Sequence, residues 1–279
     1  MQTVSGVGGS LLRAKASEVG KIQLSIPPLG EQERIVTLLD EADQLRKLRA
    51  QADRRNADLI PALFHETFGD PGNLRNRTVV ATVGDLLGDG RIIEIQDGNH
   101  GEIHPKAAEY TSEGVPFIFA NHISKNQVDL TTCPYLTQNR AGKLRVGFAR
   151  PGDVLLSHKG SIGFTAIVPV GLQTAVLSPQ VTYYRLNCKA LDPFYTWAYF
   201  QTSFFRSELK RLSQQATRAY VGITRQKELP FLLPRLTLQK EFAKWVTAIR
   251  KLEAKQAASR ERLDALLQSM LHRAFRGEL

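Results

Sequence analysis

Along residues 31–68, one set of positions recurs at alternating steps of three and four. The seam runs Ile35, Leu38, Ala42, Leu45, Arg49, Ala52, Asn56, Leu59 and Leu63, apolar at its ends and polar or small in the middle. That spacing is the heptad pattern of a helix that packs on another helix. Pro27-Pro28-Leu29-Gly30 precedes the seam, Glu31 and Glu33 suit a helix N-terminus, and Gly69 with Pro71-Gly72 ends it. A second seam runs Phe242, Trp245, Ile249, Leu252, Gln256, Ser259, Leu263, Leu266 and Met270. The two stretches are copies. Residues 22–68 and 229–275 align without a gap at an offset of 207, pairing Ile26-Pro27 with Leu233-Pro234, Gln32 with Gln239, His65 with His272 and Phe68 with Phe275. Each copy reads as a strand-like apolar run, a proline break and a long helix. A lone helix over 31–68, about 57 Å long at 1.5 Å per residue, cannot bury its own stripe. The pattern therefore predicts that the two copies pack on each other. The block between them lets the chain return, so the pair is expected to be antiparallel.

Residues 71–230 change character. Short β-branched and aromatic runs alternate with Gly and Pro: Ile92-Ile93-Glu94-Ile95, Pro116-Phe117-Ile118-Phe119-Ala120, Asp153 to Ser157, Thr165 to Val168 and Val181 to Leu186 all read as strands. Gln96 to Gly101 reads as a turn. Pro193 to Leu212 reads as one helix with a broad apolar face. The fold class is α/β, a mixed α/β domain of short strands flanked by two long helices. The boundaries fall at 1–30, 31–70 for the first helix, 71–230 for the domain and 231–279 for the second helix.

Charge sharpens this picture. The net charge is +10. Lys and Arg outnumber Asp and Glu by 18 to 12 in residues 71–230 and by 10 to 5 in 231–279, but not in residues 1–70 (9 to 10). A basic excess confined to the domain and the second helix favours a polyanionic partner, most often nucleic acid. Cys133 and Cys188 stand alone, which argues against a disulfide framework or a zinc site. No run of 18 apolar residues occurs and the N-terminus lacks an apolar core segment. Neither a membrane span nor a secretory leader is expected, and the expected location is the cytoplasm.

Three segments offer groups suited to DNA. Loop 158–163, His158-Lys159-Gly160-Ser161-Ile162-Gly163, presents Lys159 and Ser161 between two strands, where glycine lets backbone approach a phosphate. The spacing of a P-loop is absent, and an ordinary hairpin turn explains the segment equally well. Thr217, Arg218 and Tyr220 precede the last strand-like run; Arg reads guanine edges and Tyr stacks or bonds phosphate. Asn121 and Lys125 follow a buried strand. For both segments the plain alternative is a solvated surface loop. Asp192-Pro193-Phe194-Tyr195 is loosely similar to a methyltransferase tetrapeptide, but Pro at a helix start explains it better. His65 and His272 have no second ligand at helical spacing, so neither a metal site nor a catalytic group is assigned.

Taken together, the pattern resembles the specificity (S) subunit of type I restriction–modification systems, which alternates target-recognition domains with helical spacers. Ile26-Pro27-Pro28-Leu29-Gly30-Glu31-Gln32-Glu33-Arg34-Ile35-Val36 is close to the family's IPLPPLxEQxxIV spacer signature. Gly152 to Gly163 resembles its GDILxSxxGSxG segment, and Pro116 to Ile123 its PFIRxxNI-type strand. The resemblance spans essentially the whole chain. It implies a non-catalytic subunit whose domain 71–230 binds one half of a bipartite site on double-stranded DNA. It also implies helices that dock an adenine-N6 methyltransferase (M) subunit and, through it, a restriction (R) subunit. S-adenosylmethionine, ATP and magnesium would belong to those partners, with no cofactor on this chain. A full subunit carries two recognition domains. Residues 1–30 resemble only the tail of another one, with Ser10 aligned to Thr217, so a second S chain or fragment is a further expected partner. The rival readings are a stand-alone DNA methyltransferase or nuclease, and a coiled-coil scaffold that never binds DNA.

Overall fold

The computed structural model describes residues 4–5, 13–14, 16–21, 26–73, 80–214, 219–274 and 276. Strands β1 (Val4–Ser5) and β2 (Arg13–Ala14) pair antiparallel and precede a one-turn helix, α1 (Ala16–Val19). Helices α2 (Leu29–Ala57) and α3 (Leu59–Phe68) follow. Next come β3 (Val80–Thr82), α4 (Val83–Gly88), β4 (Ile92–Asp97), β5 (Val115–Ile118), the hairpin β6 (Ile123–Ser124) with β7 (Gln127–Val128), and β8 (Tyr135–Leu136). After α5 (Gln138–Gly142) lie β9 (Phe148–Ala149), β10 (Val154–Ser157), β11 (Thr165–Ile167), β12 (Ala175–Leu177) and β13 (Val181–Leu186). The chain ends with α6 (Pro193–Tyr199), α7 (Ser203–Ser213), α8 (Ile223–Gln226), β14 (Pro230–Leu232) and α9 (Leu236–Ala274). The chain divides into two compact units, Met1–Asn56 with Leu252–Leu279, and Ala57–Lys251.

In the first unit, α2 and the C-terminal part of α9 run antiparallel, as the repeat predicts. Arg46 pairs with Asp264 at 3.2 Å, Arg49 donates to Ser259 Oγ at 3.1 Å, the Asn56 amide donates to Gln256, and Arg260 pairs with Asp53. From Arg46 to Asn56 along α2, the partner on α9 moves back from Asp264 to Gln256. Asp53 and Arg260 are also equivalent positions of the two copies, so the pair opposes itself near its middle, where both seams are polar. Hydrogen-bonded polar groups at that point hold the register, because sliding either helix would leave them unmatched.

The repeat reaches further than the helices. At the offset of 207, α1 corresponds to α8 and Leu29, the first residue of α2, to Leu236, the first of α9. Gln32 folds its amide back onto the Pro27 carbonyl at 2.8 Å, and Gln239 does the same to Pro234 at 2.8 Å. The same side chain thus closes the proline turn in both copies.

Three expectations need correction. The helix expected over 31–68 is interrupted at Asp58, because Pro61 has no N–H to give the Ala57 carbonyl and its ring crowds that carbonyl. The helix expected over 193–212 splits at Phe200–Thr202, where Thr202 Oγ accepts the Phe205 N–H at 3.2 Å and starts a new helix. The second seam is also displaced. Trp245, Leu252 and Leu266 are 59%, 57% and 56% exposed, whereas Val246, Leu267 and Ala274 are buried. Phe242 is buried as the seam predicts, but burial then steps four residues to Val246 instead of three to Trp245, and a helix of 3.6 residues per turn accommodates either step.

The second unit holds two four-stranded sheets, β11-β10-β13-β4, all antiparallel, and β8-β5-β12-β9, in which β12 runs parallel to β5. Strands β10 and β13 are buried on both faces. Val154, Leu156, Tyr184 and Leu186 point to a core shared with α3, α6, α7 and the start of α9; Leu155, Tyr183 and Val181 point to the core beneath the other sheet. The period of two thus sends alternate residues into different cores, and these runs are continuously apolar. Asp192 caps α6 by accepting the Phe194 and Tyr195 N–H groups at 2.8 and 3.3 Å, and Tyr195 is buried with its hydroxyl on the Leu232 carbonyl at 2.7 Å. The tetrapeptide 192–195 is therefore a helix start.

Candidate nucleic-acid interface

Sheet register brings three distant segments to one place. Asp97 lies opposite Thr182 on the β4–β13 ladder, and Ser157 opposite Val181 on the β10–β13 ladder. The C-terminal ends of β4 and β10 therefore flank the start of β13, and the loops leaving them emerge side by side. Loop 158–163 is then joined by segment 219–221. Lys159 and Tyr220 form an antiparallel bridge, the Gly160 N–H donates to the Ala219 carbonyl at 3.1 Å, and the Val221 N–H donates to the His158 carbonyl at 2.9 Å. Two of the segments singled out in the sequence thus form one element, and Lys159, Ser161 and Tyr220 are all exposed on it. Gly160 sits at φ 77°, the left-handed region that glycine enters freely, which turns the loop back.

His158 anchors this element from below. It is fully buried, its Nδ1–H donates to the Val221 carbonyl at 3.1 Å, and its ring lies 5.5 Å from that of Tyr220. Its Nε2 faces the Asp97 carboxylate at 3.9 Å and makes no hydrogen bond. Burial pushes the His158 pKa below its ordinary 6.5, outweighing the opposing pull of Asp97. Burial also lowers the pKa of His104 and His122. A histidine whose folded pKa is depressed favours folding above its unfolded pKa, and that stability is lost as pH falls through the folded value. We expect the melting temperature to fall as pH drops below about 6.5, and His158→Gln to reduce that slope, measured by thermal melts across pH.

The loop after β4 is fixed as tightly. Gly98 packs so closely that a Cβ there would stand 1.9 Å from the Leu177 carbonyl oxygen, backbone that cannot move aside. Buried Asn99 accepts the Arg145 and Val146 N–H groups at 2.9 and 3.2 Å and donates to the Val146 carbonyl. Gly98→Ala is expected to cost about 3 kcal/mol in a denaturant melt, the upper range for overpacking. Exposed His100 follows, donating Nε2–H to Asp97 Oδ2 at 3.0 Å. Sequence reading took Gln96 to Gly101 for a turn and missed His100 and Asp97; no periodicity could have joined them to a loop some sixty residues away.

The remaining predicted contacts lie elsewhere. Asn121 is exposed in the turn after β5, and Lys125 is exposed at the tip of the β6–β7 hairpin. Lys125 and Asn126 take φ of 47° and 58°, the paired left-handed conformation of a two-residue hairpin turn. The Asn126 carbonyl accepts from Arg250 Nη2 at 3.2 Å, and that guanidinium lies 4.3 Å from the Trp197 ring. Thr217 and Arg218 lie outside the described residues. Among the described residues, no group of three His, Cys, Asp or Glu side chains is placed to hold a metal, and no helix is long and apolar enough to cross a membrane.

Residues 89–262 match the type I restriction modification DNA specificity domain. Among curated proteins none matches. By structure, the chain is similar to one from the type I R-M system solved for its complex assembly and conformational transition, with 22% identity, a TM-score of 0.61, and coverage of 98% of this chain and 66% of that one. It is similar to the HsdS subunit from Thermoanaerobacter tengcongensis, with 22% identity, a TM-score of 0.51, and coverage of 99% and 66%. It is also similar to the type I restriction-modification S subunit from M. genitalium, with 13% identity, a TM-score of 0.59, and coverage of 98% and 68%. The chain therefore spans 66% of the length of the first two structures it matches. With the family model covering more than half of its residues, and the fold in agreement, this chain belongs to the type I restriction modification DNA specificity family.

Proposed function

We propose that the chain is the DNA sequence-recognition subunit of a type I restriction–modification complex. Domain 71–230 reads one half of a bipartite target, and the helix pair docks the adenine-N6 methyltransferase subunit and, through it, the restriction subunit. The observation that carries this reading is the joined element of loop 158–163 and segment 219–221, which offers a lysine, a serine and a tyrosine together at one end of a sheet. Lysine at such a site bonds phosphate and sets register on the duplex, while tyrosine stacks or bonds at its edge. Leu45 and Leu252, equivalent positions of the two copies, are 53% and 57% exposed on the helix pair, and apolar groups left open on such a face support docking of a protein partner. Methyl transfer, S-adenosylmethionine and ATP belong to the partners on this reading. Residues 1–30 act as the tail of a second recognition domain, supported by the match of α1 to α8, and that domain's other part comes from a second S chain or fragment.

Duplex binding by the full chain, measured by fluorescence anisotropy as salt is raised, tests the reading. Log K is expected to fall linearly with log salt, at about −0.9 per phosphate neutralised. No binding at low salt supports the scaffold reading, and affinity that ignores salt contradicts a phosphate-contacting surface. Methyl transfer or cleavage by the chain alone supports the stand-alone enzyme.

A further inference from the structure

We propose that His100 is a base-reading residue of the DNA surface and that Asp97 is the positioning residue that sets which edge it reads. This rests on the DNA-recognition reading above and adds a residue and a chemistry to it. His100 leaves the end of β4 on a loop pinned by Asn99, and its ring is exposed beside the Lys159–Tyr220 element. Asp97 is the link between the two. Its Oδ2 lies 3.0 Å from His100 Nε2 and 3.9 Å from the Nε2 of His158, whose neighbour Lys159 bridges to Tyr220. The side chain at position 100 is thus held where the lysine and tyrosine would hold the backbone.

The chemistry follows from hydrogen-bond roles. A carboxylate only accepts, so the Nε2 proton of His100 is committed to Asp97, and in the singly protonated ring Nδ1 is then an acceptor. An acceptor aimed at a base edge in the major groove matches the exocyclic amines, N6 of adenine and N4 of cytosine, and does not match guanine O6 or thymine O4. Asp97 is 15% exposed, so its hold on the ring is only partly screened by water. His100 therefore selects an amino-bearing base at one position of the half-site, while Lys159 and Tyr220 contribute affinity that depends less on sequence.

Selection from a duplex library with a randomised core, using the full chain and sequencing the bound fraction, tests this. The wild type is expected to enrich a motif with adenine or cytosine at one position. His100→Ala should lower that enrichment about five-fold or more and leave the other positions intact. Asp97→Asn should weaken the same position, because the ring is no longer held in one tautomer; a purely structural role would instead lower all positions together. His100→Gln guards against misfolding of the alanine variant and should change the preferred base at that position. An unchanged motif in the folded His100 variants, or loss spread evenly over every position, overturns the proposal. If the wild type enriches no motif, the recognition reading itself fails.

Discussion

Replacing Phe242 with alanine is expected to destabilise the second unit by about 3–5 kcal/mol, the range for removing a buried phenyl ring. Phe242 is fully buried at the start of α9. Its ring meets Phe64 and Phe68 edge-on at 5.7 and 5.3 Å; Phe64 in turn stacks on Tyr195 at 5.8 Å, and Phe68 meets Tyr195 edge-on at 4.9 Å. Alanine would remove one ring from this set of four and leave a cavity beside Tyr195, whose hydroxyl is tied to the Leu232 carbonyl. Phe242→Leu keeps most of the volume and should cost less than about 1.5 kcal/mol. Denaturant melts of both variants check the ratio; equal losses would mean that the set depends on ring geometry rather than on bulk.

Arg185→Met should cost a similar amount, about 3–5 kcal/mol, for an electrostatic reason. Arg185 donates to both Asp153 oxygens at 3.2 and 2.9 Å and to the Phe148 carbonyl at 2.9 Å, pairs with Glu94, and lies 4.6 Å from the Tyr183 ring. Asp153 is only 3% exposed, and burial raises its carboxyl pKa above the ordinary value even with Arg185 present. Methionine would keep much of the packing and leave the Asp153 charge without its main partner. The sign of the pH dependence is then fixed. A carboxyl whose folded pKa lies above its unfolded value destabilises the fold when ionised and is relieved as pH falls through the folded value. The deficit of Arg185→Met should therefore shrink as pH is lowered from 7 toward 4, and Asp153→Leu added to it should recover part of the loss. A deficit that stays constant with pH would assign the cost to lost packing.

The particular residues show why some of this was legible in the chain and some was not. The repeat fixed the antiparallel pair because two copies of one stripe have an obvious partner in each other, and the Asp53–Arg260 contact between equivalent positions is its direct consequence. The second stripe was misplaced by one position because Trp245 and Leu266 continue the heptad spacing, whereas burial falls on Val246 and Leu267 and a helical turn of 3.6 residues fits a step of three or of four. The break at Asp58 was available from Pro61 but was outweighed by the continuing periodicity. Loop 158–163 and Tyr220 were each visible as groups suited to DNA, yet nothing in the sequence announces that they bridge. Asp97, His100 and His158 were missed because strand register brings them together, and register between distant strands has no local pattern.

Photo-crosslinking of the full chain to duplex tests the central claim most directly, with benzoylphenylalanine placed at Tyr220 or at Val170. Val170 is 89% exposed and lies beyond the end of β11 away from loop 158–163. Capture of DNA at position 220, suppressed by added salt, with none at 170, is the predicted result. Capture at 170 alone, or equally at both positions, would contradict a DNA surface built from the Lys159–Tyr220 element.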